Sequence, residues 1–312
     1  MAAIFIHGDR DLPTRLRPKH RVHRLTQGRV MPSTTSISVE KLVRLVGTSG
    51  CPTLIDIQTK PDFAADPRLI PGAVRRPWEQ VSAWASEFVG SSVVVICQKG
   101  QKLSEGAAAW LRHLGVSAES LDGGALAWAA AGLPMVPEAK LPKRDPQGRT
   151  VWVTRSRPKV DRIACPWLIR RFVDPGAVFL FVAPAEVQGV ADRFGAIPFD
   201  IDGEGVFWSH RGELCTFDVM VEEFALSAPA LDRLATIVRA ADTGRPQLAP
   251  EAPGLLAASL GLSRMFADDL PQLDAGMLLY DAFYRWCRDA TEETHNWPTN
   301  KPLPKAIREL TR

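Results

Sequence analysis

Cys97 stands where a chain can turn a thiol into a nucleophile. An apolar run, Val93-Val94-Val95-Ile96, reads as a buried strand. Cys97-Gln98-Lys99-Gly100-Gln101-Lys102 reads as a tight, glycine-containing loop, and Ser104 to His113 as a helix. In such a strand–loop–helix unit the loop amides and the helix N-terminus converge on the sulfur. Their partial positive charge favours a thiolate and an anionic ligand. Lys99 and Lys102 add full charges, either as attractors of an anionic reactant or as ordinary solvated lysines. A free cysteine is by default a small buried hydrophobe. The residues around this one argue for covalent catalysis instead.

Two further groups have chemical potential. Arg155, Arg157, Lys159, Arg162, Arg170 and Arg171 fall within 17 positions, with Asp161 the only acid among them. The spacing predicts a helix from Asp161 to Val173, which puts Arg162 and Cys165 on one face. Guanidinium groups near a helix start suit an oxyanion such as chromate or sulfate. Arg157, Lys159, Arg162 and Cys165 are therefore a candidate oxyanion or redox site. The plainer reading is a solvated basic face over a packed, inert cysteine, and base rates favour it for Cys165. His210, Glu213 and Cys215 follow an expected strand at spacings of three and two, with His295 a distant fourth. They mix nitrogen, oxygen and sulfur donors that zinc or iron accepts. The spacing is not a strong metal signature, and Glu213 serves equally as a favourable charge before a helix at Thr216.

The elements that must position these groups fall into two halves. Upstream, Thr53-Leu54-Ile55-Asp56-Ile57, Leu69-Ile70-Pro71-Gly72-Ala73 and Leu121-Asp122-Gly123-Gly124-Ala125-Leu126-Ala127-Trp128 flank the Cys97 loop. These four separated motifs, in this order, resemble the rhodanese (sulfurtransferase) domain over Ser33 to Pro137. The resemblance implies an α/β fold, a parallel sheet flanked by helices. It also implies Cys97 as catalytic residue, Gln98, Lys99, Gly100, Gln101, Lys102 and Leu103 as its anion and persulfide loop, and Asp56 in support. Three positions depart from the family: Gln58 stands where an Arg is usual, Leu69 where a His is common, and Lys102-Leu103 where Arg or Ser-type donors are frequent. Related phosphatase loops are one residue longer and close with Arg. Leu103 stands there and supplies no bidentate clamp for a tetrahedral oxyanion. Sulfur transfer is expected: a thiosulfate-like anionic donor, a persulfide on Cys97, a thiol or other nucleophile as acceptor, and no required cofactor.

Downstream, strands are expected at Thr150 to Thr154, Ala177 to Val182, near Ile197 to Ile201, and at Gly205 to Ser209. Helices are expected from Thr216 on, with Phe217, Met220, Val221 and Phe224 at helical spacing, after Pro229, from Pro253 to Phe266 and from Leu270 to Asp289. This is an α+β domain with a mainly helical C-terminal half. Trp152-Val153-Thr154-Arg155, Arg157 to Phe172, His210 to Phe217, Tyr280-Asp281-Ala282, Tyr284-Arg285-Trp286 and Thr294-His295-Asn296-Trp297-Pro298 resemble the ChrB-type C-terminal domain of chromate-resistance proteins. The resemblance implies a role in chromate tolerance, with chromate a possible ligand, and gives no reaction for this half.

Length and composition set the frame. A chain of 312 residues, 46% hydrophobic and 23% charged, suits two globular domains. The expected division is a basic arm (1–32), the rhodanese-like domain (33–137), a Pro- and Gly-containing linker (138–149), the ChrB-like domain (150–298) and a tail (299–312). Residues 1–32 carry seven Lys/Arg against two Asp, so the net charge of +3 belongs to the arm and the rest sums to −2. Such an arm is normally disordered, and Met31 is an alternative start that would remove it. Nucleic-acid binding through the arm is a weak signal, since no helix-turn-helix with a basic recognition helix stands out. No run approaches the ~18 apolar residues of a membrane span. Five widely spaced cysteines give no disulfide framework or metal ribbon, and a reducing cytoplasm is the expected location. Two function classes remain: a sulfurtransferase coupled to chromate handling, and a chromate- or redox-responsive sensor in which the C-terminal domain binds an oxyanion or metal and the rhodanese domain is regulatory.

Overall fold

Period-2 alternation of apolar side chains builds the first layer. The computed structural model describes residues 35–203 and 205–293. The basic arm, the tail and His295 lie outside the described residues. Strands β1 (Ser36–Ile37), β2 (Thr53–Asp56), β4 (Val74–Arg75), β5 (Ser92–Ile96) and β6 (Ser117–Leu121) form a parallel sheet in the order β1-β6-β5-β2-β4. The short pair β3 (Arg68–Leu69) and β7 (Val136–Pro137) is antiparallel. Leu54, Val94 and Ile96 face one core, and Ile55, Val93 and Val95 the other. Helices α1 (Val39–Leu45) and α5 (Gly124–Ala130) cover the first face; α3 (Val81–Trp84) and α4 (Lys102–His113) cover the second. The small helix α2 (Lys60–Ala65) follows β2. A parallel sheet needs cover on both faces, and these helices supply it.

The downstream half has a three-stranded parallel sheet, order β10-β8-β9, from β8 (Val151–Arg155), β9 (Val178–Val182) and β10 (Ile197–Pro198). Helices α6 (Asp161–Leu168), α7 (Val187–Phe194), α8 (Thr216–Glu223), α9 (Pro229–Asp242), α10 (Ala252–Met265) and α11 (Asp269–Asp289) complete it. The expected fold class, α/β followed by a helix-rich α+β half, is the one observed. The expected strand over 205–209 does not form. Pro198 withholds the N–H that a longer β10 would donate, and Asp200 turns left-handed (φ 49°). Only an isolated bridge between Phe199 and Trp208 survives.

The helix expected to reach Val173 changes type. Pro166 has no N–H for the Arg162 carbonyl, which weakens α6 from within. Beyond Leu168 the chain widens into a π-turn over Ile169–Val173, closed by Asp174 N–H to the Ile169 carbonyl at 2.7 Å. The wider turn aims Arg171 at Asp281, 2.8 Å away, and Phe172 at the upstream half. The Gly72 amide of the Ile-Pro-Gly-Ala motif donates to the Phe172 carbonyl at 2.6 Å. A Cβ on Gly47 would lie 2.2 Å from the Phe172 ring, so only glycine admits that ring. One apolar core therefore runs from Leu54 and Val94 through Phe172 to Trp167, Phe217 and Tyr280. Lys140–Glu223 (2.6 Å) and Arg144–Asp174 (3.0 Å) fasten residues of the connecting segment to the downstream half.

Among the described residues no helix is long and apolar enough to cross a membrane. Because the halves share a core, Phe172→Ala should destabilise both together. The expected loss is about 3–5 kcal/mol, seen as one cooperative urea transition at lower midpoint by far-UV circular dichroism and tryptophan fluorescence alike. Two separated transitions would contradict a shared core.

Candidate functional site

The Cys97 loop is shaped by backbone touching backbone. Gly100 and Gly124 both have left-handed φ (65° and 61°), and a Cβ on Gly124 would meet the Cys97 carbonyl oxygen at 2.2 Å. Ala125 and Leu126 N–H donate to the carbonyls of Cys97 and Gln98 at 3.0 and 3.1 Å. The Asp122-Gly123-Gly124 turn thus clamps the loop from behind. Among the described residues, the amides of Gln98, Lys99, Gly100 and Gln101 have no hydrogen-bond acceptor, which leaves them for an anion, as in backbone nests. Lys99 and Lys102 are exposed.

Cys97 itself is 6% exposed and belongs to the core of Ile55, Val95 and Ala108. Its Sγ lies 3.2 Å from Ser104 Oγ, and Ser104 Oγ lies 3.1 Å from the Gln101 carbonyl. The Ser104 hydroxyl carries one proton. It can donate to Gln101 while the Cys97 thiol is protonated, and turn to the sulfur once it is a thiolate. Ser104 escaped the sequence reading because it stands one residue past the loop, inside the helix. Two adjoining hollows of about 240 and 720 Å³ share Trp78 and Glu79. The first is lined by Gln58, Arg75 and Arg76, and the second reaches Lys102 and Leu103 at the start of α4.

Asp56 is 2% exposed at the end of β2. It accepts from Gln58 N–H at 3.1 Å, Gln58 Nε2 at 2.8 Å and Arg75 at 3.2 Å. Gln58, the departure from the family pattern, is thus a donor to Asp56, and Arg75 of β4 brings the charge. Burial pushes the Asp56 carboxyl above its ordinary range, against the pull of Gln58 and Arg75.

In the downstream half the basic cluster does not converge on one point. Arg157 donates to carbonyls at the end of α10, those of Ser263, Phe266 and Ala267. Arg162 pairs with Asp200 at 3.4 Å, Arg170 with Asp274 at 3.7 Å and Arg171 with Asp281. Lys159, on the same loop as Arg157, is exposed. Cys165 is fully buried, and burial followed by repulsion from Asp161 pushes its thiol well up. The arginines are consumed as structural donors, so Arg157, Lys159, Arg162 and Cys165 do not form the expected oxyanion site. Cys215 is pushed up in the same way, and Cys51 and Cys287 to about 11, each by burial first. Cys165 and Cys215 share the large core, whereas Cys97 lies in the other.

The group expected around His210 is rearranged too. Glu213 is 84% exposed and pairs with Arg245; Cys215 is fully buried at the start of α8, its N–H donating to Asp218 at 3.0 Å. His210 meets three other carboxylates. Its Nε2 lies 3.5 Å from Asp161, 3.3 Å from Asp200 and 3.4 Å from Asp242. Their hydrogen bonds, Asp161 first, push the imidazole pKa upward, while burial pushes Asp161 upward. These partners come from α6, the turn after β10 and the end of α9, so no local spacing points to them.

Comparison with known proteins agrees with this division. Residues 38–131 match the rhodanese-like domain and residues 152–287 the ChrB C-terminal domain. The chain therefore joins a rhodanese-like domain to a ChrB C-terminal domain. Protein ChrB of Cupriavidus metallidurans is 37% identical over 148 residues, 46% of this chain and 43% of that protein. The chain thus spans less than half the length of that relative. Among solved structures, a thiosulfate sulfurtransferase from Pseudomonas aeruginosa is 29% identical, with 34% of this chain and 20% of that one covered and a TM-score of 0.28. A rhodanese-related protein from Thermoplasma volcanium is 22% identical, with 33% and 99% covered and a TM-score of 0.28.

Ser104→Ala removes the hydroxyl beside the sulfur. A hydrogen bond to a charged group is worth about 1.5–3 kcal/mol, so thiolate alkylation by iodoacetamide at fixed pH should change measurably and persulfide formation slow roughly ten- to a hundredfold. Arg75→Gln leaves Asp56 short of its cation, at a cost of about 2 kcal/mol near neutral pH. A carboxyl whose folded pKa is raised contributes stability that is fully present below the unfolded pKa and is lost as pH rises through the folded pKa. Arg75→Gln raises that folded pKa further. Its deficit against wild type should therefore be smaller in mild acid than at neutral pH, as read by urea denaturation across pH.

Proposed function

We propose that the chain is a rhodanese-type sulfurtransferase acting through Cys97. The observation that carries this reading is the Cys97 loop: a thiol at the end of a buried parallel strand, beside the Ser104 hydroxyl and opening a loop whose amides have no acceptor among the described residues. The Cys97 thiolate attacks the outer sulfur of thiosulfate or a similar anionic donor. A Cys–S bond forms, the donor S–S bond breaks, and its electron pair leaves with sulfite. The persulfide then carries one negative charge, held by the loop amides and Ser104. Lys99 and Lys102 attract the donor and favour the departing sulfite.

The acceptor is an external thiol. Cys165 and Cys215 are fully buried in the opposite core, so neither receives sulfur from Cys97. The hollow lined by Trp78, Lys102, Leu103 and Trp110 is the approach for that thiol. The ChrB C-terminal domain supports placing this chemistry in chromate tolerance, in a reducing compartment that keeps Cys97 usable.

Intact-mass spectrometry before and after thiosulfate tests the reading on wild type, Cys97→Ser and Cys165→Ser. One added sulfur atom is expected in wild type and Cys165→Ser and lost in Cys97→Ser. Absence of the gain in reduced wild type would remove thiosulfate as donor and count against the sulfurtransferase reading.

A further inference from the structure

We infer that the downstream domain holds a divalent transition-metal ion, of the Mn²⁺ or Zn²⁺ kind, between His210 Nε2 and the carboxylates of Asp161 and Asp242. One donor atom from each of these residues lies within 4.8 Å of the other two.

The distances favour a metal over an ion pair. A charge-assisted N–H···O bond closes to about 2.7–2.9 Å, yet all three carboxylates stop 3.3–3.5 Å from Nε2. Two donors bound at about 2.0–2.1 Å to one tetrahedral ion stand roughly 3.3–3.4 Å apart. Nε2 also carries at most one proton, which serves one acceptor well and not three.

The charges point the same way. Asp161, Asp200 and Asp242 face one guanidinium, that of Arg162, and one imidazole. With neutral His210 the three carboxylates and Arg162 sum to two negative charges, and the Arg155 guanidinium reaches the Asp200 carbonyl at 3.5 Å. Asp200 is already answered by Arg162 at 3.4 Å and by the Thr216 hydroxyl at 2.9 Å, so it flanks the site. Asp161 is fully buried, and its Oδ1 has no hydrogen-bond partner among the described residues. Its Oδ2 receives only a long bond from Phe217 N–H, 3.4 Å, besides facing His210. Asp242 ends α9, where the helix dipole opposes a carboxylate, and His210 is its only described polar partner. A cation between them would supply the partner that both carboxylates lack.

The donor set selects the ion. One imidazole and two carboxylates suit Mn²⁺, Fe²⁺ or Zn²⁺ better than soft or purely oxygen-seeking cations. The side chains of His210 and Asp242 are 42% and 21% exposed, so the ion enters from solvent and retains an open coordination position.

The test uses full-length protein stripped with chelator and titrated with Mn²⁺ or Zn²⁺ by calorimetry, with Mn²⁺ binding also read by electron paramagnetic resonance. One equivalent per chain and a rise in melting temperature are expected for at least one ion. His210→Gln and Asp242→Asn should each weaken binding tenfold or more, and Cys97→Ser should leave it unchanged. Metal-free Asp242→Asn should melt at or above metal-free wild type, because it sheds an opposed charge. Failure of both ions to bind stoichiometrically, or equal binding by both variants, would overturn the site. So would an Asp242→Asn that melts lower than metal-free wild type while wild type itself gains no melting temperature from either ion, as an ion pair requires.

Discussion

The loop before α6 is the constraint on which the downstream half depends. Arg157 and Val160 adopt positive φ (58° and 29°), unusual for any side chain and costly for a β-branched one. The conformation persists because its polar groups are used. Val160 N–H donates to Ser259 Oγ at 2.9 Å, its carbonyl accepts from Tyr280 at 2.9 Å, and Pro158 accepts from Gln272 at 2.5 Å. Arg157 ties the same loop to the end of α10. Helix α11 lies so close that a Cβ on Gly276 would meet Ile163 at 2.5 Å. Two helices at the far end of the domain thus set where α6 begins, which sets Asp161, the π-turn and the docking of Phe172 onto Gly72.

The upstream half sets one thiol in a different local environment from the other four. Cys51, Cys165, Cys215 and Cys287 are all pushed toward the thiol form by desolvation. Cys97 follows the last residue of β5 and opens a loop whose shape is fixed by two glycines, and it has the Ser104 hydroxyl at its side. Distinctness here comes from backbone geometry: a side chain on Gly100 or Gly124 would collide with the backbone of the facing segment and push the loop and the turn apart.

The two clusters of charge illustrate how far spacing carries. Six basic residues within one short stretch suggested a shared ligand, yet each guanidinium finds its own carbonyl or carboxylate. A buried or half-buried arginine must be answered locally, and tertiary neighbours such as Asp274 and Asp281 do so. His210 stands out in the sequence, but its neighbours at three and five positions turn elsewhere. Its partners lie 49, 10 and 32 positions away and were brought together by α6, the turn after β10 and the end of α9.

The sequence by itself determined most of the elements and the Cys97 loop on which the sulfurtransferase proposal rests. Strand alternation, helix spacing and the glycine turns act over a few residues, so the α/β then α+β order and the Cys97 loop were legible without coordinates. Only the tertiary structure decided which charges meet, where Pro166 turns α6 into a π-turn, that Gly205 to Ser209 finds no strand partner, and that the two halves share a core. Those outcomes depend on surfaces separated by scores of residues, and their free energy comes from burial and charge neutralisation that no local pattern encodes.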